Sequence, residues 1–168
     1  MTGKKVERFR DYYWEAIEIV YSRLLTISNP SNFHYFKQGA NFEFDQNSCI
    51  AGGLFSLASL NNNNSTQSER DRKEGLELVN TCNALFERSP TKLAPFSVTF
   101  INDFGDYFKD NYFYYLRSET LESLFYLFKI TGDESYRSLL FKIFNTYSLI
   151  SDFQRQSICN FRGHRFYV

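Results

Sequence analysis

Apolar residues recur at helical spacing near the start of the chain. The stretch from Val6 to Thr26 predicts an amphipathic helix, since one side would carry Tyr13, Ile17, Val20, Leu24 and Ile27. The segment Asn29-Pro30 ends this helix, because proline cannot continue a helix and favours extended geometry in the preceding residue.

The same periodicity predicts four further helices. They cover Ser48–Leu60, Glu69–Arg88, a segment starting near Ser118, and a segment from Tyr136 to Tyr147. The sequences Ser89-Pro90 and Thr131-Gly132-Asp133 separate the later ones. Gly52-Gly53 lies inside the second helix, where each glycine costs about 1 kcal/mol against alanine. We therefore expect another backbone to pass close to this pair.

Short extended segments lie between the helices. Phe33–Phe44 is typical of a hairpin or an extended loop. The β-prone runs Val98–Ile101 and Tyr112–Leu116 are candidates for pairing across a turn region at Asn102–Asn111. The end of the chain, Ser151–Val168, is polar and aperiodic and does not predict a helix. Amphipathic helices joined by turns stack into bundles or toroids. The pattern thus predicts one mainly α domain with short β pieces and no internal linker.

Charge and hydropathy exclude several classes of function. The 168 residues contain 19 Lys and Arg and 19 Asp and Glu, so the net charge is zero. This balance lacks the basic excess of a nucleic-acid-binding surface. No apolar run approaches the roughly 18 residues of a membrane helix, and the polar start Met1–Arg10 is not followed by the apolar segment of a secretory signal. We expect no nucleic-acid partner and no transmembrane segment.

Aromatic content is high, with 19 Phe, 12 Tyr and 1 Trp. Rings stack on the faces of sugars, so a carbohydrate site is one interpretation. The simpler interpretation is that the rings fill the core. Composition favours the simpler one.

The segment with the clearest chemistry is Arg117 to Glu122. Glu119 and Glu122 are three residues apart at the start of a predicted helix, which places both on one face beside Arg117. The helix dipole favours negative charge there. Such a carboxylate cluster suits a general base, a metal ligand or a clamp for sugar hydroxyls. Acidic enrichment of an ordinary surface helix is the alternative, and Arg117 is expected to pair with either carboxylate.

The residues around this cluster resemble a known signature. Arg117-Ser-Glu119-Thr-Leu-Glu122-Ser-Leu-Phe-Tyr-Leu127 is similar to the Arg-Pro-Glu-Thr-x-Glu-Ser-Leu-Phe-Tyr-Leu motif of glycoside hydrolase family 47, the class I α-1,2-mannosidases. Thr131–Phe144, Cys49–Gly53 and Thr81–Pro95 resemble further elements of that family in the same order. The resemblance implies part of an (αα)7 barrel. It divides the chain into a partial catalytic domain at residues 1–152 and an unmatched tail at 153–168.

The resemblance also implies an activity. Enzymes of this family remove terminal α-1,2-linked mannose from N-glycans with inversion, using calcium. Inversion needs a general acid and a general base on opposite sides of the glycosidic bond. Glu119 matches a catalytic carboxylate, taken as the candidate base, and Arg117 and Glu122 match substrate-binding residues. High-mannose N-glycans of glycoproteins are the implied partner.

The family further implies a disulfide between Cys49 and Cys82, where the residues alone are equally consistent with buried thiols. Such a bridge belongs to an oxidising compartment, and the resemblance implies the lumen of the endoplasmic reticulum or Golgi. Two overlapping N-glycosylation sequons, beginning at Asn63 and Asn64, fit that compartment but occur often by chance.

The chain departs from the family pattern at several positions. Phe96 stands where the family has a site glutamate, Gln46 where it has a histidine, and Ser118 where it has a proline; serine is able to cap the helix instead. The family's catalytic acid, a catalytic aspartate and the calcium-ligating threonine have no match, so no metal ligand is assigned in this chain. The tail has the character of a truncation or a splice variant. We therefore expect this chain alone to be inactive.

Two other functions stay open. One is a non-catalytic protein that binds mannose-rich glycans or acts in glycoprotein quality control and degradation. The other is a helical protein with no role in sugar chemistry, in which the resemblance of residues 117–127 is accidental.

Overall fold

The computed structural model describes residues 7–38, 42–62, 64–101, 106–109 and 117–160, of which 106–109 and 152–160 are described by backbone alone. The described helices are α1 (Glu7–Arg23), α2 (Ile50–Asn61), α3 (Ser65–Arg88), α4 (Glu119–Thr131) and α5 (Glu134–Asn160), with a short 3₁₀ helix at Gln46–Cys49. The described strands are β1 (Leu25–Ile27), β2 (His34–Phe36), β3 (Glu43–Asp45), β4 (Ser97–Ile101) and β5 (Asp106–Lys109). The mainly α prediction is confirmed.

Helix α1 is shorter than its pattern predicts. It ends at Arg23, and the next residues form β1, which pairs antiparallel with β2 so that Leu25 lies opposite Phe36. Strand pairing satisfies the backbone of this segment in place of a further helical turn. Leu24 and Ile27 consequently lie off the helical stripe and are 40% and 52% exposed.

The strands pair differently from the sequence-based expectation. Phe33–Phe44 closes on itself only at the antiparallel bridge between Gln38 and Glu43, whereas its strands find other partners: β2 pairs with β1 and β3 pairs with β4. Strand β4 also pairs with β5, which lies in the region expected to be a turn. The expected partner, Tyr112–Leu116, lies outside the described residues. These pairings join segments distant in sequence, which local propensity does not reveal.

The glycine pair of α2 lies where three helices meet. A Cβ on Gly52 would lie 2.4 Å from Cγ2 of Val79 in α3, and one on Gly53 would lie 3.1 Å from Cα of Ser123 in α4. The close approach of other backbones, expected from the sequence, is confirmed.

Helices α4 and α5 are joined by a sharp turn. Gly132 adopts φ 71° and its N–H donates to the carbonyl of Phe128 at 2.9 Å, a conformation that glycine adopts without strain. Helix α5 then continues to Asn160. The polar segment from residue 151 was not expected to be helical. It contains neither glycine nor proline before residue 161, so nothing local stops the helix.

Aromatic rings fill much of the core. Tyr35 and Phe100 stack with ring centroids 3.9 Å apart, and Phe44 and Phe55 are fully buried. The simpler interpretation of the aromatic content is confirmed for these rings. Within the described segments, no helix is long and apolar enough to cross a membrane.

Candidate functional site

The candidate site lies where the start of α4 meets the end of β3. The Nη1 atom of Arg117, just before α4, is 3.6 Å from Oδ1 of Asp45, and the two side chains are 16% and 17% exposed. The same Asp45 oxygen accepts a hydrogen bond from the N–H of Asn47 at 2.7 Å and caps the 3₁₀ helix. The expected pairing of Arg117 with Glu119 or Glu122 is wrong, since Asp45 takes that role.

Two further contacts fix Arg117. Its guanidinium carbon lies 4.4 Å from the centroid of the Phe96 ring, at a distance typical of a cation–π contact. Its carbonyl oxygen accepts a hydrogen bond at 2.9 Å from the Tyr147 hydroxyl of α5. The phenyl ring at position 96 therefore supports the arginine but cannot exchange a proton.

The two glutamates of α4 occupy different environments. Glu119 is partly buried, and its Oε2 atom is excluded from solvent without a hydrogen-bond partner among the described residues. Glu122, one turn later, is exposed. Ser118 occupies the N-cap position of α4, and its carbonyl accepts from the Glu122 N–H at 2.9 Å, whereas its side chain makes no capping hydrogen bond to the described backbone. Of the two, only Glu119 thus has a buried carboxylate oxygen without a partner in the described part of the chain.

Other buried polar atoms lie in α4 and in the 3₁₀ helix that follows β3. The Nε2 atom of Gln46 and the Oγ1 atom of Thr120 are buried and lack hydrogen-bond partners within the described part of the chain. Gln46 belongs to the 3₁₀ helix that packs against α4. A buried polar group left unsatisfied costs about 1–3 kcal/mol.

The backbone around the site is firmly held. The buried Ser123 hydroxyl of α4 donates to the Cys49 carbonyl at 2.6 Å and accepts from the Gly53 N–H at 2.9 Å. Cys49 and Cys82 form a disulfide with a Cα–Cα distance of 6.0 Å, as the family resemblance implies. These contacts tie α4 to the start of α2 and both to α3.

Asp45 and Ser123 were missed as site residues. Ser123 lies within the recognised motif, but its role depends on a contact with Cys49, 74 residues away in sequence. Asp45 immediately precedes Gln46, the position at which the family pattern departs. The proximity of Asp45 to Arg117 was not visible in the sequence, since 71 residues separate them and strand β4 lies between.

The described residues do not assemble a calcium site. Among them, no group of three or more His, Cys, Asp and Glu side chains is placed to bind a metal ion. Glu119 offers one carboxylate oxygen that has no partner within the described segments, whereas Asp45 is engaged by Arg117. Calcium takes six to eight oxygen ligands, so these side chains alone do not fit it.

Comparison with known proteins identifies the family. The family model for glycosyl hydrolase family 47 matches residues 1–156 of this chain. The chain belongs to this family. It is 35% identical over 144 residues to mannosyl-oligosaccharide alpha-1,2-mannosidase IA of Spodoptera frugiperda, an alignment covering 82% of this chain and 21% of that protein.

Other relatives of this family member carry similar names. It is 34% identical to the mannosyl-oligosaccharide 1,2-alpha-mannosidase of Candida albicans, covering 87% of this chain and 30% of the relative. It is 30% identical to the human endoplasmic reticulum mannosyl-oligosaccharide 1,2-alpha-mannosidase, and the alignment covers 87% of this chain and 22% of the relative. The chain thus spans less than a third of the length of these relatives.

The fold agrees with the family. The α-1,2-mannosidase from Trichoderma reesei superposes with a TM-score of 0.70 over 82% of this chain and 33% of that one, at 15% sequence identity. This likeness confirms the predicted architecture, an arc of the helical barrel. The family match extends past residue 152, and the division between residues 1–152 and 153–168 stays a prediction.

Proposed function

We propose that this protein acts on terminal α-1,2-linked mannose of high-mannose N-glycans, and that the junction of β3 with α4 binds the sugar. The observation that carries the proposal is the buried Oε2 atom of Glu119, which has no hydrogen-bond partner among the described residues and lies two positions after the fixed Arg117. A sugar hydroxyl donating to that oxygen would satisfy it. The family membership supports mannose as the sugar.

The residues have distinct proposed roles. Glu119 accepts a hydrogen bond from a mannose hydroxyl and, in the complete reaction of the family, is the candidate general base. Arg117 is held at the sugar by Asp45 and Phe96, and its remaining N–H groups donate to hydroxyls. Glu122 is exposed and contacts a more distant part of the glycan.

We propose that the 168-residue chain alone binds mannose without hydrolysing it. An inverting reaction needs an acid and a base that activates water. Position 96 carries a phenyl ring instead of a carboxylate, and that ring is occupied by Arg117. This supports the alternative role of a non-catalytic glycan-binding protein in glycoprotein quality control for the chain on its own.

The proposal also covers the need for calcium and the cellular compartment of the protein. Calcium, when bound in this family, supplies positive charge beside sugar hydroxyls. The described residues alone do not fit it, and we propose that mannose binding at the β3–α4 junction does not depend on it. We place the protein in the lumen of the endoplasmic reticulum or Golgi. The disulfide and the relatives named for the endoplasmic reticulum support that placement.

Calorimetric titration with α-1,2-mannobiose tests the function. We expect saturable binding that Glu119→Ala weakens at least tenfold, because a hydrogen bond to a charged group contributes about 1.5–3 kcal/mol. Chelation with EGTA should leave the affinity unchanged, and no free mannose should accumulate. Glu134→Gln is the matched control, since Glu134 is an exposed glutamate in the first turn of α5. Binding that survives Glu119→Ala unchanged would contradict the proposed site.

A further inference from the structure

The connection between α2 and α3 carries a feature that the sugar site does not use. Asn63-Asn64-Ser65 and Asn64-Ser65-Thr66 are overlapping N-glycosylation sequons. Asn63 lies outside the described residues, whereas Asn64, Ser65 and Thr66 are all exposed. The structure therefore describes the second sequon in full.

Asn64 is the N-cap of α3. Its Oδ1 atom accepts hydrogen bonds from the backbone N–H groups of Thr66 at 3.1 Å and Gln67 at 3.3 Å, and its own N–H donates to Asn62 Oδ1 at 2.9 Å. The side-chain amide nitrogen makes no hydrogen bond within the described part of the chain. Capping therefore uses only the oxygen of this amide and leaves the nitrogen facing solvent.

We propose that Asn64 is an N-glycosylated residue of this chain. Glycosyl transfer from a lipid-linked sugar diphosphate forms a bond between Asn64 Nδ2 and the sugar C1. The C1–O bond to the diphosphate breaks, the lipid diphosphate leaves with the electron pair, and the amide gives up one proton. The product retains Oδ1, so the glycosylated side chain still caps α3.

The position of this glycan is compatible with an open sugar site. Helix α2 begins at Ile50, directly after the 3₁₀ helix that follows Asp45, and ends at Asn61, just before the sequons. Twelve helical residues span about 18 Å at about 1.5 Å per residue. The attachment point at Asn64 therefore lies at the opposite end of α2 from Asp45.

Each sequon is removable without the other. Thr66→Ala destroys the sequon of Asn64 and keeps Asn63-Asn64-Ser65, whereas Ser65→Ala destroys the sequon of Asn63 and keeps that of Asn64. Asn64→Asp prevents modification at Asn64, retains a capping oxygen, and leaves Asn63 within an intact sequon. These three substitutions, all at exposed positions, distinguish modification of Asn64 from modification of Asn63.

The test expresses the full chain behind a secretory leader in a glycosylating eukaryotic host. A sequon in a C-terminal tag reports entry into the lumen. Intact mass before and after treatment with peptide-N-glycosidase F counts the glycans, and the readout does not require folding. We expect one glycan beyond the tag glycan on Ser65→Ala, which retains only the sequon of Asn64, and none on the double variant Ser65→Ala/Asn64→Asp. An unmodified Ser65→Ala chain with a modified tag would overturn the proposal.

Discussion

At the scale of single residues, Asp45 holds the side chain of Arg117 in place. It pairs with Arg117 and also accepts from the N–H of Asn47, so it joins the end of β3 to the start of α4. Because both charged side chains are largely buried, each depends on the other for compensation. The spacing of Glu119 and Glu122 on α4 therefore does not determine which carboxylate holds Arg117.

Replacing Asp45 should destabilise the fold. We expect Asp45→Ala to lower the free energy of unfolding by about 1–3 kcal/mol, since a mostly buried guanidinium loses its partner and a backbone N–H its acceptor. Urea denaturation measures the change. The control is Glu69→Ala, which removes the exposed pair with Arg72 and should change stability by less than about 1 kcal/mol. Equal losses for the two variants would contradict this role for Asp45.

Asp71 should make stability depend on pH. Its buried carboxylate accepts hydrogen bonds from the hydroxyls of Tyr21 at 2.7 Å and Tyr13 at 3.4 Å. Burial raises the pKa of Asp71 above its ordinary value, and these hydrogen bonds and Arg70 oppose the rise only in part. A carboxyl whose pKa is higher in the folded state contributes stability below its unfolded pKa and loses it as pH rises through the folded pKa.

The substitution Asp71→Asn should remove this contribution. We expect the free energy of unfolding of the wild type, relative to Asp71→Asn, to decrease as pH is raised from about 3 to above the folded pKa. Urea denaturation at several pH values follows the difference. Glu69→Gln is again the exposed control on the same helix, α3. A difference that grows in favour of the wild type with rising pH would show that the sign is wrong.

At the scale of elements, periodicity predicted the helices and not the strand partners. The helix breaks at Ser89-Pro90 and Gly132 are local signals, and α3 and α4 end at those places. Strand pairing joins β3 to β4 across more than fifty residues, and a segment expected to be a turn supplied β5. Such pairings depend on packing between distant segments, which a propensity scale does not contain.

Close packing of α2 against α3 should make Gly52 intolerant of a side chain. Alanine at this position gains about 1 kcal/mol in helix propensity. Its Cβ would, however, lie 2.4 Å from Cγ2 of Val79 and 3.1 Å from the Gly75 carbonyl oxygen. Overpacking typically costs about 1–3 kcal/mol, so we expect Gly52→Ala to be destabilising overall.

A double-mutant cycle identifies the contact responsible. In a Val79→Ala background the nearest atom is gone, so the cost of Gly52→Ala should decrease by at least about 0.5 kcal/mol. Thermal unfolding of the two single variants and the double variant measures the coupling. Additive effects would show that the γ-methyl of Val79 does not limit the approach of the two helices.

At the scale of the whole molecule, the resemblance predicted an arc of a helical barrel and an internal disulfide. The fold likeness to a solved α-1,2-mannosidase confirms the first, and the Cys49–Cys82 bridge confirms the second. The arc exposes several large apolar side chains on α5, including Phe141, Phe144 and Leu149 at 53%, 52% and 71% exposure. Such faces are uncommon on isolated monomers.

We expect the 168-residue chain to self-associate. Light scattering coupled to size-exclusion chromatography should show a mass that rises with protein concentration, and Phe141→Glu/Phe144→Glu should reduce the association. Tyr12→Glu is a control on α1, where the replaced side chain is similarly exposed at 53%. A concentration-independent monomer would contradict this expectation.

The most direct test of the central claim is to locate bound α-1,2-mannobiose on the protein by heteronuclear NMR titration. The account predicts that the largest amide shifts lie at Asp45–Asn47 and Arg117–Glu119, and that Glu119→Ala requires at least tenfold more sugar to reach them. Saturable shifts that cluster elsewhere, or that need no more sugar in this variant, would show that the β3–α4 junction is not the sugar site.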